Sequence, residues 1–501
     1  MNRDAMNPAR MLAACLAVCL AALALSPLAH ATPGVDEPPV PQPPRPVVVP
    51  GFEEARLPNG LRVVVARRAD LPLVTVLLQS TGGSAADPAS RAGLAGTTAT
   101  LLTKGSMRGG KKLDATQIAR QAEALGSTLE AGADWHSVSI SMTVNTTKLD
   151  AALALIADVA RRPTFLQQEL DRAREQSIDA LKLSLSDPAA LAGMVARRTF
   201  WGGSEYGAIA TPATLTRITR QDVVAFHGRT LREDRSTLIL TGDVTLEQAL
   251  ALARARLGDW RTGTPPPQRD EAAVPVPSAP ATVLVNLPGA GQTGVVVTVP
   301  FLSANDPQRR IGQVASAVLG GGYSARLNQE IRIKRGLAYG ASTSAESHPA
   351  PKDPERLPGG MLLASTQTNN PNAAQVAELV RGEILRLGEA PVPADELAAR
   401  QATLVGGFAR RLETTGGLAS MAADQLANGR ALKDLQRAPD EILAVTAAQV
   451  RDFAAKRFTP AVVRTVIVSD IQQAGEALTK LDPGSLKVEA AKLKFEGPSL
   501  N

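Results

Sequence analysis

Cysteine is almost missing from this chain of 501 residues: Cys15 and Cys19 are the only two, and both lie in an apolar leader. Past that leader no disulfide, thiolate nucleophile or thiolate metal site is available. Aromatic residues are 3% of the chain, too few for base stacking, and a formal charge of +6 is spread without a dominant basic block. The richest basic stretch, Lys104 to Lys112 (KGSMRGGKK), reads as a solvated loop, so nucleic acid is set aside as a partner. Histidine is scarce as well. Beyond the leader there are His136, His227 and His348, no two within five residues. No helix therefore presents a chelating pair, and both His-Glu-x-x-His and His-x-x-Glu-His are absent. His136 falls at a strand start, His227 at a helix end and His348 in a proline-flanked loop, each read as a surface or hydrogen-bonded structural residue. No serine sits in a nucleophile elbow, and three scattered histidines do not make a triad. By its own residues the chain is catalytically incomplete.

What is present begins with the leader. Arg3 and Arg10 precede an apolar run from Met11 to Leu28, closed by Ala29-His30-Ala31. This pattern predicts a signal peptide over residues 1–31, cut after Ala31, and hence a periplasmic protein with no stable membrane insertion. The alternative is an uncleaved anchor, although about 18 apolar residues is close to the lower limit for spanning. The run continues well past Cys15, which argues against a lipoprotein. About 470 residues remain after cleavage, enough for two or more domains.

Residues 32–51 form a proline-rich lead-in, and a second proline-rich stretch, residues 262–280, divides the remainder nearly in half. The halves match at a constant offset of 227: Glu169-Leu170 with Glu396-Leu397, Ala190–Met194 with Gly417–Met421, Val223 and Phe226 with Val450 and Phe453, and Asp243 with Asp470. An ungapped register over roughly 75 positions marks a duplicated domain. The expected organisation is a first lobe over 52–261, the linker, a second lobe over 281–488 and a tail over 489–501. In the first half Val138, Ile140, Met142 and Val144 alternate as a strand with one buried face. A helix follows, carrying Leu149, Ala152, Leu153, Ile156 and Val159 and stopping near Pro163. The second half repeats this with a strand from Met361 and a helix bearing Val376, Leu379, Val380, Ile384 and Leu387. Strands grouped with helices, without regular βαβ alternation, predict an α+β fold. Each of the two lobes is an antiparallel-rich sheet with helices on one face, and the lobes face each other across a cleft.

The most informative stretch is GGGYSARLNQEIRIKRGLAY, residues 320–339. Gly320, Gly321 and Gly322 permit a sharp bend, Ser324 reads as an N-cap, and Leu327 and Ile331 share one face of a short helix. Gly336 ends that helix and a strand follows, so Arg332 in the last turn and Tyr339 beyond the break can be aimed at one point. Taken alone, they also fit a helix-terminal charge and a half-buried strand residue. The glycines do not form a phosphate loop, because the GxxxxGK[ST] pattern is missing.

LPNGLRVVVARR at Leu57–Arg68, the segment just described, DELAARQATLVGGF at Asp395–Phe408 and the closing TVIVSD together resemble the pitrilysin (insulinase-like) zinc peptidase family. The resemblance covers essentially the whole chain past the leader. Members of that family carry an inverted zinc motif, His-x-x-Glu-His, in the first lobe. Here the matching segment is GLAGTTATLLTKGS, residues 93–106, with Gly96 and Thr100 at the histidine positions and Ala99 at the general-base position. The third ligand, a glutamate, falls near Asp179-Ala180. The resemblance thus implies a chain that has lost both metal and base, with no metal ligand and no cofactor of its own.

It also implies that Arg332 and Tyr339 match the family's substrate-binding, carbonyl-stabilising pair in the second lobe. Some family members divide the work between two similar subunits, one with zinc and one with this pair. The expectation is a zinc-free subunit of a periplasmic heterodimeric metallopeptidase, acting in trans on peptide held at a partner's zinc. The alternatives are an inert structural or peptide-binding homologue, or a homodimer that pairs its strand edges with extended chains.

Overall fold

Runs of adjacent valines explain the two sheets. Val63, Val64 and Val65, and Val295, Val296 and Val297, are buried at every position instead of at every second one. Such strands must be covered on both faces. The structure, a computed structural model, describes residues 47–202, 204–265, 280–349, 359–497 and 499–500. The expected signal peptide, most of the lead-in and most of the 262–280 linker lie outside the described residues.

The first sheet has the order β1-β2-β8-β3-β7-β6, with β1 Glu53–Arg56, β2 Arg62–Arg67, β3 Leu73–Thr81, β6 Glu130–Ala133, β7 Ser137–Asn145 and β8 Ser236–Gly242. Its pairs are antiparallel except β2 with β8. The second has the order β11-β12-β10-β13-β9-β14, with β9 Thr282–Asn286, β10 Thr293–Phe301, β11 Ala341–Ser347, β12 Gly360–Thr368, β13 Arg464–Ser469 and β14 Leu486–Glu489. Read from opposite ends, the two orders coincide strand for strand. Only the outer strand differs in origin: β1 comes from before its sheet in the chain and runs antiparallel to β2, whereas β14 comes from after and runs parallel to β9. The fold is α+β, built twice.

Each half's own helices cover one face of its sheet. In the first half Leu149–Arg161 presents Leu149, Ala152, Leu153, Ile156 and Val159 to β3 and β7, and Leu94–Leu102 joins the same core. In the second, Ala373–Arg386 and Arg309–Gly320 do the same. The remaining face of each sheet is covered from the other half. Helix Pro188–Trp201, from the first half, lays Leu191, Ala192, Val195, Ala196 and Trp201 on Val283, Val285, Val296, Met361 and Val468 of the second sheet. Helix Thr415–Ala427, from the second, lays Leu418, Ala419, Met421, Ala422 and Ala423 on Val64, Ala66, Leu77 and Ile239 of the first. The exchange is reciprocal. Gly294 makes the approach possible, since a Cβ there would lie 2.3 Å from the Pro188 carbonyl oxygen.

Two local expectations change. Lys104 to Lys112 is part of a hairpin, β4 Gly105–Arg108 and β5 Lys111–Asp114, because Gly109 and Gly110 both take positive φ and close a two-residue turn. The histidines, remote in sequence, are not scattered in space. His227 Nε2–H donates to the Ala160 carbonyl, 2.8 Å away, but His136 Nε2 lies 3.2 Å from His348 Nδ1 across the two halves. Tyr206 stacks flat on His348 at 3.7 Å, and Trp135 and Trp201 meet it edge-on. Burial, then His136 and Arg197, push His348 down to about 3. Because that value lies below the ordinary 6.5, the unfolded chain gains a proton that the folded chain refuses as pH falls from 6.5 towards 3. The contribution is complete above pH 6.5 and is lost on acidification. His348 itself contributes ~2 kcal/mol less at pH 5 than at pH 7.5, so in urea the stability difference between the parent and His348→Gln should shift by about that much against the parent over this interval.

Candidate functional site

The segment after helix Arg309–Gly320 is pinned from several sides. Gly320 lies so close to β11 that a Cβ would sit 2.4 Å from the Thr343 nitrogen. Leu327 and Ile331 are fully buried, as their spacing predicts. Ser324 is not the N-cap: the helix turn starts after Ala325, and the Ser324 hydroxyl instead accepts from Arg400 at 2.5 Å. Arg326 grips Glu396 with two bonds of 2.9 Å, holding the turn to helix Ala394–Leu412. The buried Asn328 donates to the carbonyls of Gly322 and Ala341, at 3.0 and 2.8 Å, and accepts from the Ala341 N–H at 2.9 Å. One amide thereby fixes both the approach to the helix and the start of β11.

The backbone then widens into a π turn over Gln329–Ile333, with Lys334 N–H bonded to Gln329 C=O at 2.9 Å. Gly336, at φ +63°, ends it. Glu330 takes both neighbouring cations, Lys334 and Arg335, whose hydrogen bonds hold its carboxyl below the usual range. Arg332 is treated differently. Among the described residues no carboxylate pairs with it; its guanidinium lies against two tyrosine rings, 4.6 Å from the Tyr339 centroid and 4.7 Å from that of Tyr323. Tyr339 is 88% exposed and Tyr323 62%. The structure thus brings Arg332 and Tyr339 together, and adds Tyr323, to which the sequence reading gave no role. A signal existed: the whole chain has three tyrosines, and two of them stack on this arginine.

The segment matched to the zinc motif forms helix Leu94–Leu102, anchored by Asp87, which accepts from Gly93 and Ala95 N–H at 2.9 Å each. Gly96 and Thr100 are exposed one turn apart, while Ala99 is buried in the first core. Asp179 stands exposed on helix Gln167–Ser186 and pairs with Lys182 at 3.0 Å. A glycine, an alanine and a neutral hydroxyl offer zinc no imidazole or carboxylate, and one engaged aspartate cannot hold it alone. Among the described residues no three histidine, cysteine or acidic side chains converge. These residues do not fit the metal. What the arrangement can do is bind: a guanidinium with free edges beside a phenol recognises carbonyls or carboxylates.

The family follows from this frame. The chain belongs to the insulinase family of peptidases: residues 62–210 match the model described as Insulinase (Peptidase family M16), and residues 217–404 match that of the Peptidase M16 inactive domain. It is a member without the zinc motif. An uncharacterised zinc protease of Mycobacterium leprae is 28% identical over 58% of this chain and 64% of its own length, so this chain spans a little under two thirds of it. A non-peptidase homolog, YmxG, of Helicobacter pylori is 23% identical over 76% of this chain and 86% of its own. The crystal structure of a peptidase M16 inactive domain from Pseudomonas fluorescens superposes with a TM-score of 0.71 at 22% identity, covering 84% of this chain and 98% of that one.

Proposed function

We propose that this chain is the zinc-free subunit of a periplasmic, heterodimeric peptidase of the insulinase type. It binds an extended peptide and turns Arg332 and Tyr339 towards the zinc of a homologous partner, where the phenol donates to the oxyanion that forms at the scissile carbonyl. The observation carrying this reading is the cation–π pair at Arg332 and Tyr339, without a competing carboxylate among the described residues, in a chain whose positions matched to the zinc motif are Gly96, Ala99 and Thr100. An inert scaffold has no use for an ordered arginine–tyrosine pair. The periplasmic setting rests on the leader pattern of residues 1–31. Mixing the purified chain with a homologue that carries His-x-x-Glu-His should give a stable one-to-one complex by light scattering. That complex should cleave an unstructured peptide that neither chain cleaves alone. Two chains that stay apart and inactive would return the protein to the reading of a structural or peptide-binding homologue, in keeping with its similarity to the non-peptidase homolog of Helicobacter pylori.

A further inference from the structure

We propose that Tyr323 is a positioning residue of this site: its ring is a second aromatic support for the Arg332 guanidinium and holds its N–H donors towards a peptide carbonyl. This deepens the reading above and rests on it for the identity of the ligand. The geometry itself stands apart from that reading.

A guanidinium has two faces that aromatic rings can cover and a rim of five N–H donors. Here two rings lie against one guanidinium, with its central carbon 4.7 Å from the Tyr323 centroid and 4.6 Å from that of Tyr339. A flexible arginine stem would otherwise sample many directions. The two outer rings are tied to one scaffold. Asn328 bonds Gly322, immediately before Tyr323, and Ala341, two residues after Tyr339, so the rungs are set by a single buried amide. Tyr323 projects into solvent, which excludes a core-packing reason for its ring. The adjacent cations Lys334 and Arg335 share Glu330 as a partner, whereas Arg332 has no carboxylate partner among the described residues and meets the two rings instead.

The two tyrosines therefore differ in what they supply. Tyr323 acts through its ring, and its hydroxyl is dispensable; Tyr339 acts through its hydroxyl as well. Three variants, Y323A, Y323F and Y323W, separate these roles in the reconstituted complex and in the isolated chain. Binding of a fluorescently labelled unstructured peptide to the isolated chain should weaken about two- to fivefold in Y323A, the worth of an exposed cation–π contact. KM of the complex should rise by a similar factor with kcat little changed. Y323F should restore both values, and Y323W should bind as tightly or more tightly, because indole is the better cation–π face. The ring-current shift of the Arg332 Nε–H signal, assigned with R332K, should be reduced in Y323A alone. An unaltered shift and unaltered binding in Y323A overturn the inference, and so does damage in Y323F equal to that in Y323A. If the shift responds as expected but Y339F leaves turnover intact, the stack stands and the peptidase reading fails.

Discussion

Removing one hydroxyl, with Tyr339→Phe, is expected to lower turnover of the reconstituted peptidase by ~10²–10³-fold, the usual worth of an oxyanion donor. The ring survives this change, so the stack on Arg332 at 4.6 Å should persist, and with it the fold and the partner interface. The loss should thus fall on kcat and leave KM within a few-fold, the pattern of an interaction made in the transition state. Arg332→Ala should behave otherwise. It removes the charge proposed to grip the ground-state peptide and releases both tyrosines, so KM should rise and kcat fall together. Steady-state kinetics on a quenched-fluorescent peptide distinguishes the two patterns. A Tyr339→Phe complex as fast as the parent would mean that the exposed phenol has no part in the chemistry.

The second large effect concerns the exchanged helices. Trp201 closes the first of them, fully buried on the opposite half's sheet and packed against Tyr206 and His348 at ring-centroid separations of 5.2 and 5.1 Å. Its indole N–H donates to Glu346 at 3.4 Å, and Arg197 on the same helix pairs with that carboxylate. Trp201→Ala should cost ~3–5 kcal/mol, the range for emptying a buried aromatic site. Because the cavity opens between the halves, both should unfold together, in one urea transition at a lower midpoint. The exposed Leu183, on the neighbouring helix Gln167–Ser186, is the control, and Leu183→Ala should move the midpoint little. Two separate transitions in Trp201→Ala would show that the halves hold themselves without the exchange.

Much of this architecture is legible in the residues alone. The alternation at Val138, Ile140, Met142 and Val144 gave a strand whose four residues are all buried, and the spacing of Leu327 and Ile331 gave the buried side of the turn that carries Arg332. The 227-residue register even singled out Ala190–Met194 and Gly417–Met421, the cores of the two exchanged helices. What it could not say is which sheet each helix covers. Both are apolar enough to pack on any valine-rich surface, and the choice is made by Gly294 and by contacts between residues more than a hundred positions apart.

Each histidine is hydrogen-bonded, as read, but the meeting of two of them was hidden for the same reason. His136 and His348 are 212 positions apart, and no local pattern predicts their 3.2 Å contact. Ser324 looked like a cap because its residue type suits one, but an arginine from a later helix claims its hydroxyl. The stack at Arg332 lies between these cases. The family-like spacing exposed Tyr339, whereas Tyr323 reaches the same cation only through the π turn and the Asn328 brace, which are features of backbone geometry.

Metal content decides the central claim. Atomic emission on the purified chain, on the partner and on their complex should find zinc absent from this chain and one ion per heterodimer, all of it carried in by the partner. Stoichiometric zinc on this chain alone, resistant to dialysis, would contradict the division of labour between a metal-bearing and an arginine–tyrosine-bearing subunit.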